Sequence, residues 1–305
     1  MNFLITGGAG SVGRDLTAAL LEKGHRARVL DRHPLHDKQV ESIQGSLEDK
    51  PLVQAALQGV DSVIHLAWSF SDDPVELLET DLKGHVVLLE ACAAAKVGRL
   101  FYASTAVVYG KPMQNPITED SPCLVEDARK PFYAIAKLAA EKLALAYWKM
   151  KGLPVTVFRF WWSYGKKIGG RHLRDMIVLA QTGKPLAVPG GAGGSFLDHD
   201  DLAHALLLAQ QEQASIGQIF NLSTIYLEWT DIARIIMDVT DSSSSLEVFP
   251  GREWRGAQFL ADSWELSSAK AERLFGYRSL FSPSTARQKL EKAIALYRED
   301  LRGKL

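Results

Sequence analysis

Residues 1–13 read MNFLITGGAGSVG. A short apolar run at 2–6 breaks into Gly7, Gly8, Gly10 and Gly13, and a pattern with apolar residues three and four apart then runs over 12–23. A buried strand that turns on glycines and opens at once into a helix is the setting a dinucleotide-binding fingerprint requires. Gly7 makes the turn, Gly10 lets backbone approach a pyrophosphate, and Gly13 lets the helix pack closely on the strand. Ser11 and Val12 begin that helix, whose unpaired N–H groups and positive dipole end suit phosphate.

The next signal lies about twenty residues on. Asp31 ends a second β-branched run at 27–31, where a carboxylate can accept from ribose hydroxyls and would repel a 2′-phosphate. NAD is therefore favoured over NADP, although Arg32 and His33 beside it partly offset that repulsion. Further short runs at 62–66, 99–104 and 155–160 alternate with helical patterns at 51–57, 81–96 and 132–150. Strands joined through helices form a doubly wound parallel α/β sheet. After Gly165 the chain is punctuated by Gly169, Gly170, Gly183, Pro185, Pro189, Gly190, Gly191, Gly193 and Gly194, which gives loops rather than βα units. We assign 1–164 to the cofactor domain and 165–305 mainly to a smaller, interleaved C-terminal substrate-binding domain, with 196–222 rejoining the first.

Bulk composition sets the outer bounds. A chain of 305 residues with 47% hydrophobic and 23% charged content has room for a sizeable core and for no more than two domains. A net charge of −1 supplies no positive field for nucleic acid. No stretch approaches the ~20 apolar residues of a spanning helix, and the N-terminal apolar run lacks the shape of a signal peptide. Two cysteines, Cys92 and Cys123, have neither paired nor metal-binding spacing. These features point to a reducing, cytoplasmic setting, with no membrane and no metal.

Tyr133 and Lys137 stand four apart, hence on one helix face. A neighbouring cation favours phenolate, so the tyrosine pKa is expected to fall from about 10 toward working pH, as a general acid/base needs. Ser104 and Thr105 end a strand at the carboxyl edge, where ligands bind in open α/β sheets, and Thr105 is placed to bond a reacting oxygen.

The segments TGGAGSVG (6–13), VLDR (29–32), HLAW (65–68), STAVVYG (104–110), YAIAK (133–137) and FRFWWSYG (158–165) occur in the order and spacing of extended short-chain dehydrogenases, so that nearly the whole chain resembles the NAD-dependent epimerase/dehydratase family. The resemblance implies a Rossmann-type sheet with Tyr133 as acid/base, Lys137 lowering its pKa and holding the nicotinamide ribose, and Thr105 orienting the substrate oxygen. It places Leu66, Ala67 and Trp68 along the cofactor, Ser46 and Leu47 beside the adenine, and Asp81 among the cofactor contacts. Ser69, Trp162, Arg174, Phe196 and Arg252 fall on the substrate side. A homodimer through the helices at 81–96 and 132–150 is implied by the same analogy.

Departures from the family pattern narrow the chemistry. Sugar 4,6-dehydratases carry Asp-Glu directly after the catalytic Thr; Ala106 and Val107 stand there and transfer no proton, which disfavours that elimination. Trp162 and Gly194–Ser195 replace groups that meet a nucleotide diphosphate in nucleotide-sugar enzymes, which weakens that substrate class. Trp68, Phe70, Trp161, Trp162, Tyr164 and Phe196 are either core or an apolar wall for a sugar or aromatic ring. Lys166, Lys167, Arg171, His172 and Arg174, with Arg252 and Arg255, are either solvated surface or a site for an anionic substrate. Asp198, His199, Asp200 and Asp201 are read as the start of a helix and not as metal ligands. The reading that results is an NAD-linked dehydrogenase or epimerase acting at a secondary alcohol or ketone of a small polar or sugar-like molecule. The alternatives are a nucleotide-sugar 4-epimerase and, in another class, a non-catalytic NAD-sensing protein.

Overall fold

A computed structural model describes residues 1–302. The first half runs β1 (Asn2–Thr6), α1 (Ser11–Glu22), β2 (Arg26–Asp31), β3 (Glu41–Gln44), α2 (Lys50–Ala56), β4 (Ser62–His65), α3 (Pro74–Glu76), α4 (Lys83–Ala94), β5 (Arg99–Ala103), α5 (Pro131–Lys151) and β6 (Val155–Arg159). There follow β7 (Trp162–Tyr164), α6 (Arg171–Gln181), β8 (Leu186–Pro189), β9 (Gly193–Asp198), α7 (His199–Gln211), β10 (Gln218–Asn221), β11 (Ile225–Glu228), α8 (Trp229–Thr240), β12 (Leu246–Phe249), β13 (Ser263–Trp264), α9 (Ala269–Phe275) and α10 (Pro283–Arg302).

Seven strands form one sheet in the order β10-β6-β5-β4-β1-β2-β3, and every pairing in it is parallel. Successive side chains leave a strand on opposite faces. Phe3 and Ile5 therefore pack with Leu16, Leu20, Leu202 and Leu206 of α1 and α7. Leu4 points the other way, against Val53, Leu88 and Leu89 of α2 and α4. Burial on both faces is why these strands read as nearly unbroken apolar runs. Chain order reverses between β1 and β4, which leaves a crevice at their carboxyl ends, the usual ligand position in such sheets.

The helix expected over 81–96 begins earlier. Asp73 caps Pro74 by accepting from Val75 and Glu76, and Leu77–Leu82 form a π-turn that joins α3 to α4. β3 carries no sequence signal, because ESIQ is polar and mostly exposed. In the second half, α7 and β10 continue the large sheet, whereas β9 pairs with β7, β11 and β13 in a small sheet, and β12 pairs with β8. Trp162, Phe196, Trp229, Ile232, Ile236 and Ile294 centre a separate core that joins the small sheet to α6, α8 and α10.

Candidate active site

The turn after β1 is built around missing side chains. A Cβ on Gly13 would lie 2.5 Å from the Gly7 carbonyl oxygen and 2.5 Å from the Gly8 Cα, so only glycine lets α1 approach the turn. One on Gly7, where φ is +73°, would meet the Ala67 backbone at 2.6 Å. Gly10 differs, since its nearest neighbour would be the Gly7 oxygen at 3.2 Å. Gly10 also caps α1 with no side-chain acceptor, and the first turn, Ser11 and Val12 included, carries no acidic residue. The N–H groups of that turn thus remain available to an anion.

Asp31 stands beside this turn. Its Oδ2 accepts from the Ala9 N–H and its Oδ1 from the His33 N–H, each at 2.9 Å, and each oxygen retains a lone pair for a ribose hydroxyl. Arg32 is exposed next to it. Ser46 and Leu47 follow β3, which borders β2, and Leu47 packs on Gly84 of α4. Leu66 donates its N–H to the Thr6 carbonyl at 3.0 Å, bringing Leu66, Ala67 and Trp68 across the crevice from the glycine turn. These residues fit a dinucleotide.

Asp81 lies in the π-turn, and its carboxylate accepts from the Ser69 N–H at 3.0 Å and the Ser69 hydroxyl at 2.5 Å. It fixes the loop after β4, and both of these bonds are spent on Ser69. Burial raises its pKa, against the Ser69 bonds and the nearby Lys137 charge. Phe70 in that loop is 67% exposed, adopts a left-handed φ of 58°, and stacks on the Tyr133 ring at 6.0 Å. A bulky residue held at positive φ is strained and marks a place where the surroundings dictate the backbone. Lys130 donates to the Phe70 carbonyl at 3.0 Å, and Asp72 accepts from the Tyr133 N–H at 3.3 Å.

The end of β5 is fastened to one face of α5. Lys137 donates to the Ala103 carbonyl at 2.8 Å, Ser104 donates to Glu141 Oε1 at 2.5 Å, and the Thr105 hydroxyl faces the Tyr133 phenol. Tyr133, Lys137 and Glu141 are four apart, so the last residue of β5 and the two that follow it meet three successive turns of the helix. Glu141 also accepts from Arg159 of β6 through Nε at 2.9 Å and a terminal nitrogen at 2.6 Å, a pair buried on both sides. Thr105 in turn accepts from the Val107 N–H at 3.2 Å and starts the 3-10 turn Ala106–Tyr109.

The electrostatics differ from the sequence expectation. Lys137 is 4% exposed, with its ammonium 4.1 Å from the Trp68 ring centre and 4.8 Å from that of Tyr102. Burial lowers its pKa to about 7, although Asp81 and Glu141 pull it back up. Tyr133 is not depressed: burial pushes the phenol well above its ordinary value, and the Thr105 hydroxyl and Arg129 charge only reduce that rise. The reason is that Lys137 points at the Ala103 carbonyl and the aromatic rings, so removal of the phenol from water governs. Around this lysine the Tyr102 hydroxyl, Trp68 Nε1, His65 Nε2 and His85 Nδ1 are buried without a protein partner among the described residues.

On the substrate side the structure corrects several expectations. Trp162 and Phe196 are 5% and 0% exposed and stack 5.6 Å apart in the second core. They form no open wall, because the small sheet closes over them. Arg174 projects outward from α6, and Arg252 is 87% exposed beside Glu253; neither is drawn to Tyr133. Trp161, Phe259 and Trp264 line a crevice with Val107, Gly110 and Arg129. Sequence reading passed over Arg129, whose context depends on residues 130 positions away. His199 bonds Asp15 at 2.7 Å and Ser163 at 3.1 Å, while Asp198 caps α7; among the described residues no cluster of three metal-ligating side chains occurs.

The model of the NAD dependent epimerase/dehydratase family matches residues 3–223. The chain belongs to this family. It is an enzyme of the extended short-chain dehydrogenase type. It is 29% identical over 308 residues to a UDP-glucose 4-epimerase of Corynebacterium glutamicum, spanning 91% of this chain and 90% of that protein. It is 30% identical to a UDP-N-acetyl-alpha-D-glucosaminuronate decarboxylase of Bacillus cytotoxicus, spanning 81% and 83%. Among solved structures, dTDP-glucose 4,6-dehydratase of Streptomyces venezuelae with NAD and TYD bound superposes with a TM-score of 0.80 at 25% identity, over 99% and 98% of the two chains. With a 4,6-dehydratase among these relatives, the comparisons do not support excluding that reaction from Ala106 and Val107 alone.

Proposed function

We propose that the protein is an NAD-linked dehydrogenase or epimerase acting at a secondary alcohol or ketone of a small, polar, sugar-like substrate. The observation that carries this reading is the convergence of Tyr133, Thr105 and Lys137 at the carboxyl end of β5, one strand from the crevice beside the glycine turn. Asp31 favours NAD over its 2′-phosphorylated form. The dinucleotide would rest on the first turn of α1, Asp31 and the loop 66–69, and supplies hydride acceptance and donation when bound.

The chain's own groups supply the rest. The Tyr133 phenol, protonated when buried, is a general acid toward a carbonyl oxygen; in the oxidative direction it acts as the phenolate, once its own proton has passed to solvent, and then takes the alcohol proton. Thr105 shares that oxygen's hydrogen bonding and sets its distance from the phenol. Lys137, with a pKa near 7, exchanges a proton at neutral pH and donates to whichever oxygen lies above Ala103. Asp81 keeps Ser69 and its loop against the substrate side.

The test is a metabolite screen that follows absorbance of reduced nicotinamide together with stereochemical inversion at the reacting carbon. Net reduction of NAD identifies a dehydrogenase, and inversion without it an epimerase. Tyr133→Phe is expected to lower turnover by about 100-fold or more while NAD affinity holds; NAD binding by both proteins with turnover in neither would instead favour a protein that only senses NAD. A nucleotide-sugar 4-epimerase is the second reading, favoured by the relative from C. glutamicum, and uridine diphosphate binding separates it from the first. We also propose a cytoplasmic homodimer, supported by two free cysteines and by exposed Leu78, Phe132 and Ile135 on or beside the family's pairing helices.

A further inference from the structure

The crevice beside the 3-10 turn ends in a cation with no carboxylate partner among the described residues. Arg129 lies two residues before α5, exposed, with its guanidinium carbon 4.6 Å from the centre of the Phe259 ring. A guanidinium covered on one face by an aromatic ring has its plane fixed, yet its N–H edges stay free for bidentate bonding. Those edges border the crevice that Val107 and Gly110 form just past Thr105, with Trp161 and Trp264 as its far wall. The space inside is about 10 Å³, room for one water, so a larger anion would sit at the exposed mouth. Arg129 precedes Tyr133 by four residues, and its charge offsets part of the burial-driven rise in the Tyr133 pKa.

We propose that Arg129, held by Phe259, is the substrate's anion anchor, and that the substrate carries a carboxylate or phosphate on the side of the reacting carbon away from the cofactor. This rests on the oxidoreductase or epimerase reading above and replaces Arg174 and Arg252 as the anion contact. Fork-shaped donors match the two oxygens of a carboxylate or phosphate. Trp161, only partly buried, offers an apolar flank to the carbon frame between that anion and the hydroxyl at Tyr133.

Calorimetric titration of the NAD-loaded protein with D-galacturonate, uridine diphosphate and D-galactose tests the assignment. Wild type is expected to bind one of the two anions, more weakly as salt is added, and which one binds distinguishes carboxylate from phosphate. In Arg129→Gln that affinity falls by about 10- to 100-fold, as loss of a charge-assisted bond implies, while galactose and NAD affinities hold. Arg129→Lys retains part of it, and Phe259→Leu weakens it by releasing the guanidinium plane. The assignment is overturned if neither anion binds, or if Arg129→Gln binds the anion as wild type does. Failure to take up NAD would overturn the underlying reading and this one together, whereas NAD uptake with an unaltered Arg129→Gln titration overturns the anchor alone.

Discussion

Lys137→Met is expected to make the protein more stable while removing its activity. Burial lowers the Lys137 pKa from 10.5 to about 7. At ~1.4 kcal/mol per factor of ten, the buried ammonium costs roughly 5 kcal/mol, with the attraction of Asp81 and Glu141 already counted. Methionine keeps the length of the side chain and places a polarisable sulfur over Trp68. It leaves the Ala103 carbonyl without its 2.8 Å donor, a loss of about 1–2 kcal/mol. A net gain of roughly 3–4 kcal/mol below pH 7 follows. The unfolded chain binds more protons at this lysine between about pH 7 and 10.5, so wild-type stability rises with pH across that window and the advantage of methionine shrinks there. Urea unfolding of both proteins at several pH values from below 7 to about 10 measures this. A variant no more stable than wild type in acid, or a gap that ignores pH, would refute the reasoning.

Two other substitutions probe the scaffold of the site. Gly13→Ala forces a methyl to 2.5 Å from the Gly7 oxygen; α1 must shift, and NAD affinity measured by calorimetry is expected to drop at least tenfold, by roughly 1.4 kcal/mol or more. Glu141→Gln leaves Arg159 buried and unpaired, so denaturant unfolding is expected to show a loss of about 3–5 kcal/mol. High salt should change that loss little, because the pair is 2% and 0% exposed.

What was legible in the sequence was local or periodic. The strand, glycine turn and helix at 1–23 sit within one stretch, and Asp31 follows at a spacing that the βα unit dictates. Tyr133 and Lys137 are neighbours on a helix because their separation is a helical turn. What depended on the path of the chain was not legible. β3 is four residues of mixed polarity, recognisable only by pairing with β2. The partners of Glu141, namely Ser104 and Arg159, come from just past β5 and from β6, and Arg129 gains meaning only from Phe259. Helical spacing does not yield the tyrosine pKa, because it says which face Lys137 occupies but not where its ammonium turns. Trp162 and Phe196 could have been wall or core, and only the closure of the small sheet decides for core.

The fastening of Ala103, Ser104 and Thr105 to three turns of α5 makes the reactive groups one rigid cassette. Trp161, Phe259 and Arg129, by contrast, come from separate segments that no bond of that cassette involves. Such a division lets substrate preference drift by exchanging side chains on the outer wall while proton transfer stays intact, so diversification within a lineage of this chain should concentrate around 161, 259 and 129 and spare 103–105.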